Sequence, residues 1–101
     1  LKTYVEIPCK SPVFDPEWER NGYIQEASQL VQSWIKEHQP TGAQLTIFQD
    51  PGRTPLLFLE LPGTVQGSVL FYGHLDKQPE MEGWREDLGP WKAVIQDNKL
   101  Y

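Results

Sequence analysis

The sequence predicts an α/β fold, with a mixed sheet of three or four strands and one clear helix. Apolar residues recur at spacings of three and four between residues 24 and 38. Apolar and polar residues alternate over residues 43–49, and nearly continuous apolar runs follow at residues 56–61 and 68–72. A helical period followed by strand-like patterns indicates an α/β layer pair, with one face of the sheet left uncovered.

The N-terminal third is predicted to enter in extended form and then to turn into the helix. Two prolines exclude a continuous helix from residues 1–16, and Asp15 is a candidate N-cap. The Asn-Gly pair at 21–22 weakens the new helix, and Pro-Thr-Gly at 40–42 ends it. Its predicted buried face consists of Ile24, Ala27, Leu30, Val31, Trp34, Ile35 and His38.

The strands are predicted from alternation and from apolar runs. Leu45 and Ile47 alternate with polar residues, which predicts a half-exposed strand before a turn at 50–52. The runs at 56–61 and 68–72 are predicted to be central strands, covered on both faces and joined as an antiparallel hairpin.

The C-terminal third is predicted to be a long loop followed by strand-like residues. The loop begins at Gly73, and strand character resumes over residues 91–96. Asp97-Asn98 predicts a turn into a returning strand that has barely begun at Tyr101.

Length and charge restrict the class of protein. A chain of 101 residues allows one domain, residues 1–101, with one modest core. A net charge of -5 with scattered basic residues argues against nucleic acid and anionic membranes as partners. Cys9 is the only cysteine, so we expect a reducing cytoplasm. No apolar run approaches the length of a membrane span. We also expect the chain to be a piece of a longer protein.

Candidate chemistry lies in the loop that follows the second apolar run. His74 and Asp76 are placed where a predicted strand ends, which is where α/β sheets gather ligands. An imidazole is a natural zinc ligand, and a carboxylate often accepts a hydrogen bond from its other ring nitrogen. Gly73 permits the backbone bend and Pro79 stiffens the loop. A His-x-Asp triplet alone is a weak signal, because a single histidine is more often structural.

The residues around this triplet supply a more specific pattern. The stretch from Leu70 to Tyr101 resembles the zinc peptidase and deacylase family of carboxypeptidase G, cytosolic dipeptidase, acetylornithine deacetylase and succinyl-diaminopimelate desuccinylase. The prolines near Ile7 and the 51–55 segment extend the resemblance over almost the whole chain. The matching positions are Gly73, His74, Asp76, Pro79, Trp84, Pro90, Trp91, Asp97, Leu100 and Tyr101.

The resemblance implies that residues 1–101 are a partial zinc-peptidase-like catalytic domain, namely its N-terminal piece. His74 would be one ligand of a two-zinc centre, and Asp76 would be the catalytic-site carboxylate bonded to it. The other ligands and the glutamate general base follow later in relatives, so we expect the chain alone to be inactive and to hold no stoichiometric zinc. The implied substrate is a dipeptide or small peptide. Lys77 stands where relatives often have an apolar residue, so substrate preference is not carried over.

Other functions and simpler interpretations stay open at this stage. The parent protein is equally compatible with a deacylase of N-acyl amino acids, or the chain is a non-catalytic α/β interaction module in which His74 and Asp76 form a structural bond. His38 is interpreted as a surface histidine and Cys9 as a packed or idle thiol. The acidic cluster over residues 80–87 is interpreted as a solvated loop. Trp84 and Trp91 are interpreted as anchors of that loop onto the core.

The apolar runs also predict self-association. Their large side chains point to both faces of the predicted strands, and one helix covers only one face. We therefore expect a dimer or a higher assembly in place of a stable monomer. The residues concerned are Leu56, Leu57, Phe58, Leu59, Val69, Leu70 and Phe71.

Overall fold

A computed structural model describes all 101 residues and confirms the coarse α/β class. It contains three helices and two small antiparallel sheets. The helices are α1 (Lys2–Glu6), α2 (Trp18–Asn21) and α3 (Tyr23–His38). The strands are β1 (Gln44–Phe48), β2 (Leu56–Glu60), β3 (Ile95–Gln96) and β4 (Lys99–Leu100).

The structure agrees with the predicted helix over α3 and differs from the prediction in the residues before α3. Residues 2–6 form a helix, so the prediction of a fully extended N-terminal segment was wrong. Asp15 is not an N-cap, since its carboxylate accepts hydrogen bonds from the Asn21 amide at 2.8 and 3.0 Å. Gly22, at φ 73°, ends α2 and begins α3. This left-handed residue explains why the Asn-Gly pair divides the predicted helix in two.

β1 and β2 form an antiparallel hairpin in which Gln44 faces Glu60 and Phe48 faces Leu56. The predicted strand over residues 45–47 and the turn at residues 50–52 are therefore confirmed, the turn closing with a 3.1 Å bond from the Arg53 amide to the Asp50 carbonyl. The predicted pairing of residues 56–61 with residues 68–72 was wrong, because β2 pairs with β1 alone.

Residues 68–72 belong to no helix or strand. The four large side chains of this segment, which we call the apolar segment, are 80–89% exposed; they are Val69, Leu70, Phe71 and Tyr72. A strand that is apolar on both faces gains little from pairing unless both faces are covered. The helices of this chain leave the apolar segment exposed, and the segment is not the central strand that was predicted. β2 is not a central strand either, because β1 is its only neighbour.

The core is small and lies between the N-terminal segment and the first half of α3. Ile7, Cys9, Ile24 and Ala27 are buried together, with Tyr4, Trp18 and Leu30 packed against them. The predicted buried face of the helix is right for Ile24 and Ala27, whereas Trp34 is 60% exposed and His38 is also exposed.

The fold is open for its size. Its accessible surface is 8211 Å², against about 5,900 Å² for a compact monomer of this mass. Its radius of gyration is 16.4 Å, against about 13 Å for a compact domain of this length. The chain therefore leaves much of its apolar surface unburied.

The C-terminal hairpin confirms the turn predicted at Asp97-Asn98. β3 pairs with β4 in antiparallel register, and both turn residues have positive φ, 51° and 59°. Two consecutive left-handed residues are typical of a type I′ turn, which matches the twist of a two-residue hairpin. None of the helices has the length and apolar character needed to span a membrane.

Candidate active site

The loop that carries His74 and Asp76 is attached to the N-terminal segment. The Lys77 amide donates to the Cys9 carbonyl at 2.8 Å, and the Ser11 amide donates to the Lys77 carbonyl at 3.0 Å. The Tyr4 hydroxyl donates to the Leu75 carbonyl at 2.7 Å. Residues 68–72 form no strand, so the predicted placement of the loop at the end of a sheet strand was wrong. A short parallel bridge to the N-terminal segment positions the loop instead.

His74 and Asp76 lie in direct contact, as the spacing predicted. His74 Nδ1 lies 2.9 Å from the Asp76 carbonyl oxygen and 3.0 Å from Asp76 Oδ1. A carbonyl oxygen and a carboxylate oxygen both accept hydrogen bonds, so Nδ1 of His74 carries the proton and donates to them. The neutral imidazole then keeps a lone pair on Nε2, the nitrogen that a metal ion would use. The His74 side chain is 61% exposed, and its hydrogen bonds involve Nδ1 and not Nε2.

The His74–Asp76 pair is too small to form a metal site by itself. No group of three or more His, Cys, Asp or Glu side chains lies close enough together to hold a metal ion. A catalytic zinc site has about three protein ligands. His74 fits one of these positions, because its Nδ1 is held by a carboxylate and its Nε2 is free. Asp76 fits the orienting role beside it.

An open cleft borders the pair. It has a volume of about 520 Å³ and runs between α3, β2 and residues 72–76. Ile24, Val31 and Leu57 are among its apolar lining residues, and His74 and Asp76 also line it. An apolar cleft with a few polar groups is the usual form of a small-molecule site.

Lys77 anchors the loop beside the His74–Asp76 pair to the N-terminal segment, a role that the sequence did not predict. Its ammonium donates to the carbonyl oxygens of Tyr4, Val5 and Ile7 at 2.6, 3.1 and 2.7 Å. It also lies over the ring of Tyr4 at 4.3 Å and over that of Trp91 at 5.1 Å. Burial lowers the pKa of Lys77 from its ordinary value. The available signal was a lysine at a position where the family that the loop resembles often has an apolar residue.

The remaining titratable residues follow the simpler interpretations. Cys9 is 1% exposed and donates to the Leu75 carbonyl at 3.3 Å, which confirms that it is a packed thiol. Burial raises the pKa of this thiol. His38 stacks on Trp34 with ring centroids 4.5 Å apart on the exposed part of α3.

The acidic cluster is exposed, and two of its carboxylates, Glu80 and Asp87, pair with neighbouring cations. Glu80 accepts from Lys10 at 3.1 Å, and its own backbone amide together with Lys10 lowers its pKa. Asp87 binds Arg85, and this hydrogen bond lowers the pKa of Asp87. These carboxylates therefore form a solvated loop, as predicted, and not an acid–base pair.

No protein-family model and no curated protein matches this chain.

Proposed function

We propose that this chain forms part of the catalytic domain of a two-zinc metallopeptidase that hydrolyses the amide bond of dipeptides or small peptides in the cytoplasm. One observation carries the proposal: two oxygens of Asp76 face Nδ1 of His74, which directs the lone pair of the imidazole to Nε2. The resemblance of residues 70–101 to the zinc peptidase and deacylase family supports the same assignment.

Within this proposal, His74 binds one zinc ion through Nε2 and Asp76 fixes the orientation of the ring. The chemistry that a zinc pair supplies when bound is activation of a water molecule and polarisation of the amide carbonyl. The Asp76 carboxylate strengthens the imidazole as a ligand by accepting its Nδ1 proton in a hydrogen bond. The remaining ligands and the general base belong to residues outside this chain.

The test uses three variants of the protein that carries this chain together with the residues supplying the remaining ligands. His74→Ala removes a metal–nitrogen bond, so zinc content and hydrolysis should fall together. Asp76→Asn keeps the ligand, so it should retain much of the zinc and lose about 10–100-fold in rate. His38→Ala changes a histidine on exposed α3 and should match the wild type in both measurements.

Two further measurements separate the alternatives. Dialysis followed by elemental analysis of the 101-residue chain should find less than one zinc per chain, because His74 offers only one nitrogen. Comparing dipeptides with N-acyl amino acids as substrates distinguishes a peptidase from a deacylase. Unchanged zinc content and turnover in both His74→Ala and Asp76→Asn would favour the non-catalytic interaction module.

A further inference from the structure

The ammonium of Lys77 joins three parts of the chain beside the His74–Asp76 pair. Its three protons meet three carbonyl oxygens at the C-terminal end of α1, at 2.6, 3.1 and 2.7 Å. An ammonium has three donors and no acceptor, so this set of carbonyls uses all of them. The rings of Tyr4 and Trp91 flank the same charge at 4.3 and 5.1 Å.

This arrangement stabilises the C-terminal end of the helix over residues 2–6. The last carbonyls of a helix lack partners within the helix, and a cation near them is favourable. A helix of five residues is too short to be stable by itself. Lys77 gives the Val5 carbonyl a donor from 72 residues away along the chain. It adds a second donor to the carbonyls of Tyr4 and Ile7, which also accept from the backbone amides of Ile7 and Cys9.

The same contacts determine where Asp76 lies. On its C-terminal side, the backbone of Lys77 is bonded to Cys9 and Ser11. On its N-terminal side, the Leu75 carbonyl accepts from the Tyr4 hydroxyl and from the Cys9 thiol. Asp76 therefore sits between two anchored residues, whereas the exposed His74 ring has its only hydrogen bonds to Asp76.

We infer that Lys77 is a positioning residue that, by anchoring its loop to the end of α1, holds Asp76 against Nδ1 of His74. The inference rests on the proposed function for its catalytic meaning, because the tautomer that Asp76 imposes is the one that frees Nε2 for zinc. The structural consequence of this anchor is the tautomer of His74. It is measurable without zinc or substrate.

The experiment is ¹⁵N NMR of the imidazole nitrogens in the 101-residue chain, at mildly alkaline pH where histidine is neutral. A His38→Gln background leaves His74 as the single histidine. Lys77→Met keeps the length of the side chain and removes all three donors. Lys77→Arg keeps the charge but replaces a three-way donor with a planar fork. Lys92→Met removes an exposed charge from the same region of the chain and serves as the control.

The wild-type chain and Lys92→Met should both show His74 protonated at Nδ1. In Lys77→Met that population should fall at least twofold, with Lys77→Arg changing in the same direction. Circular dichroism establishes which variants are folded, and if Lys77→Met is unfolded, Lys77→Arg decides. A folded variant with the wild-type tautomer would overturn the inference. A shifted tautomer in a protein whose His74→Ala variant keeps its zinc would sustain the inference about Lys77 and reject the zinc assignment.

Discussion

The exposed apolar segment gives the most direct prediction about the behaviour of the chain. Phe71 is 89% exposed and stands between Leu70 and Tyr72, which are similarly exposed. Single exposed apolar residues are ordinary, but a contiguous group of four marks a surface that binds something. We expect this segment to drive self-association, and Phe71→Gln to weaken it without changing the net charge.

The expected size of the effect follows from the exposure of the ring. Full burial of a Phe side chain is worth about 1.5–3 kcal/mol. In a symmetric dimer both copies lose this contribution, so the dissociation constant should rise at least about 100-fold. The folded chain itself should change by less than about 0.5 kcal/mol, because an exposed surface side chain contributes little to stability.

The assay is light scattering coupled to size exclusion over a series of concentrations, with urea unfolding of the same samples. Val13→Gln is the matched control, since Val13 is 81% exposed but lies outside the apolar segment. Association that persists unchanged in Phe71→Gln would show that another surface is responsible. A wild-type chain that stays monomeric at every concentration would refute the argument from exposed area.

Three further predictions concern stability. Burial raises the pKa of Cys9, so above about pH 8.5 the native chain keeps a thiol proton that the unfolded chain releases. The free energy of unfolding should therefore fall as the pH rises above this value. Urea unfolding should show a smaller fall in Cys9→Ala than in the wild type. Asn98 has φ 59°, so Asn98→Val should cost about 1–2 kcal/mol of hairpin stability, seen as faster exchange of the Tyr101 amide, whereas Asn98→Gly should slow it. Ile24→Ala should cost about 2–5 kcal/mol in urea unfolding, and an equal loss in the exposed control Ile47→Ala would argue against a core at Ile24.

The parts of the fold that sequence reasoning predicted are those determined by local pattern. α3 and β1 follow from the spacing of apolar residues, and the C-terminal turn follows from two residues that tolerate positive φ. α1 was missed because its C-terminal end is stabilised by Lys77, a partner that no window along the sequence reveals. The hairpin was assigned to the wrong neighbours because a continuous apolar run indicates burial but does not specify which strand pairs with it.

In the candidate site, too, the local contact was predictable from the sequence and the contacts between distant segments were not. The contact between His74 and Asp76 joins residues two apart, so the loop sequence was enough to predict it. The contacts that hold the loop join it to residues 4–11, and they depend on how distant segments meet. Resemblance to a family singled out His74 as a candidate metal ligand and Asp76 as its candidate orienting carboxylate. The departure of Lys77 from that family's usual residue marked the position as unusual, but it did not reveal which carbonyl oxygens the ammonium contacts.

The apolar segment and the loop that carries His74 are adjacent in sequence, but the contacts that hold the loop do not involve the apolar segment. The apolar segment ends at Tyr72 in water, and two residues later His74 begins a loop held by hydrogen bonds to the N-terminal segment. A site held by the strand before it would lose its geometry when that strand is left uncovered. Here the carbonyls of Tyr4, Val5 and Ile7 hold Lys77 whether or not the apolar segment has a partner. The contact between Asp76 and Nδ1 of His74 is therefore present in a chain whose apolar segment is exposed.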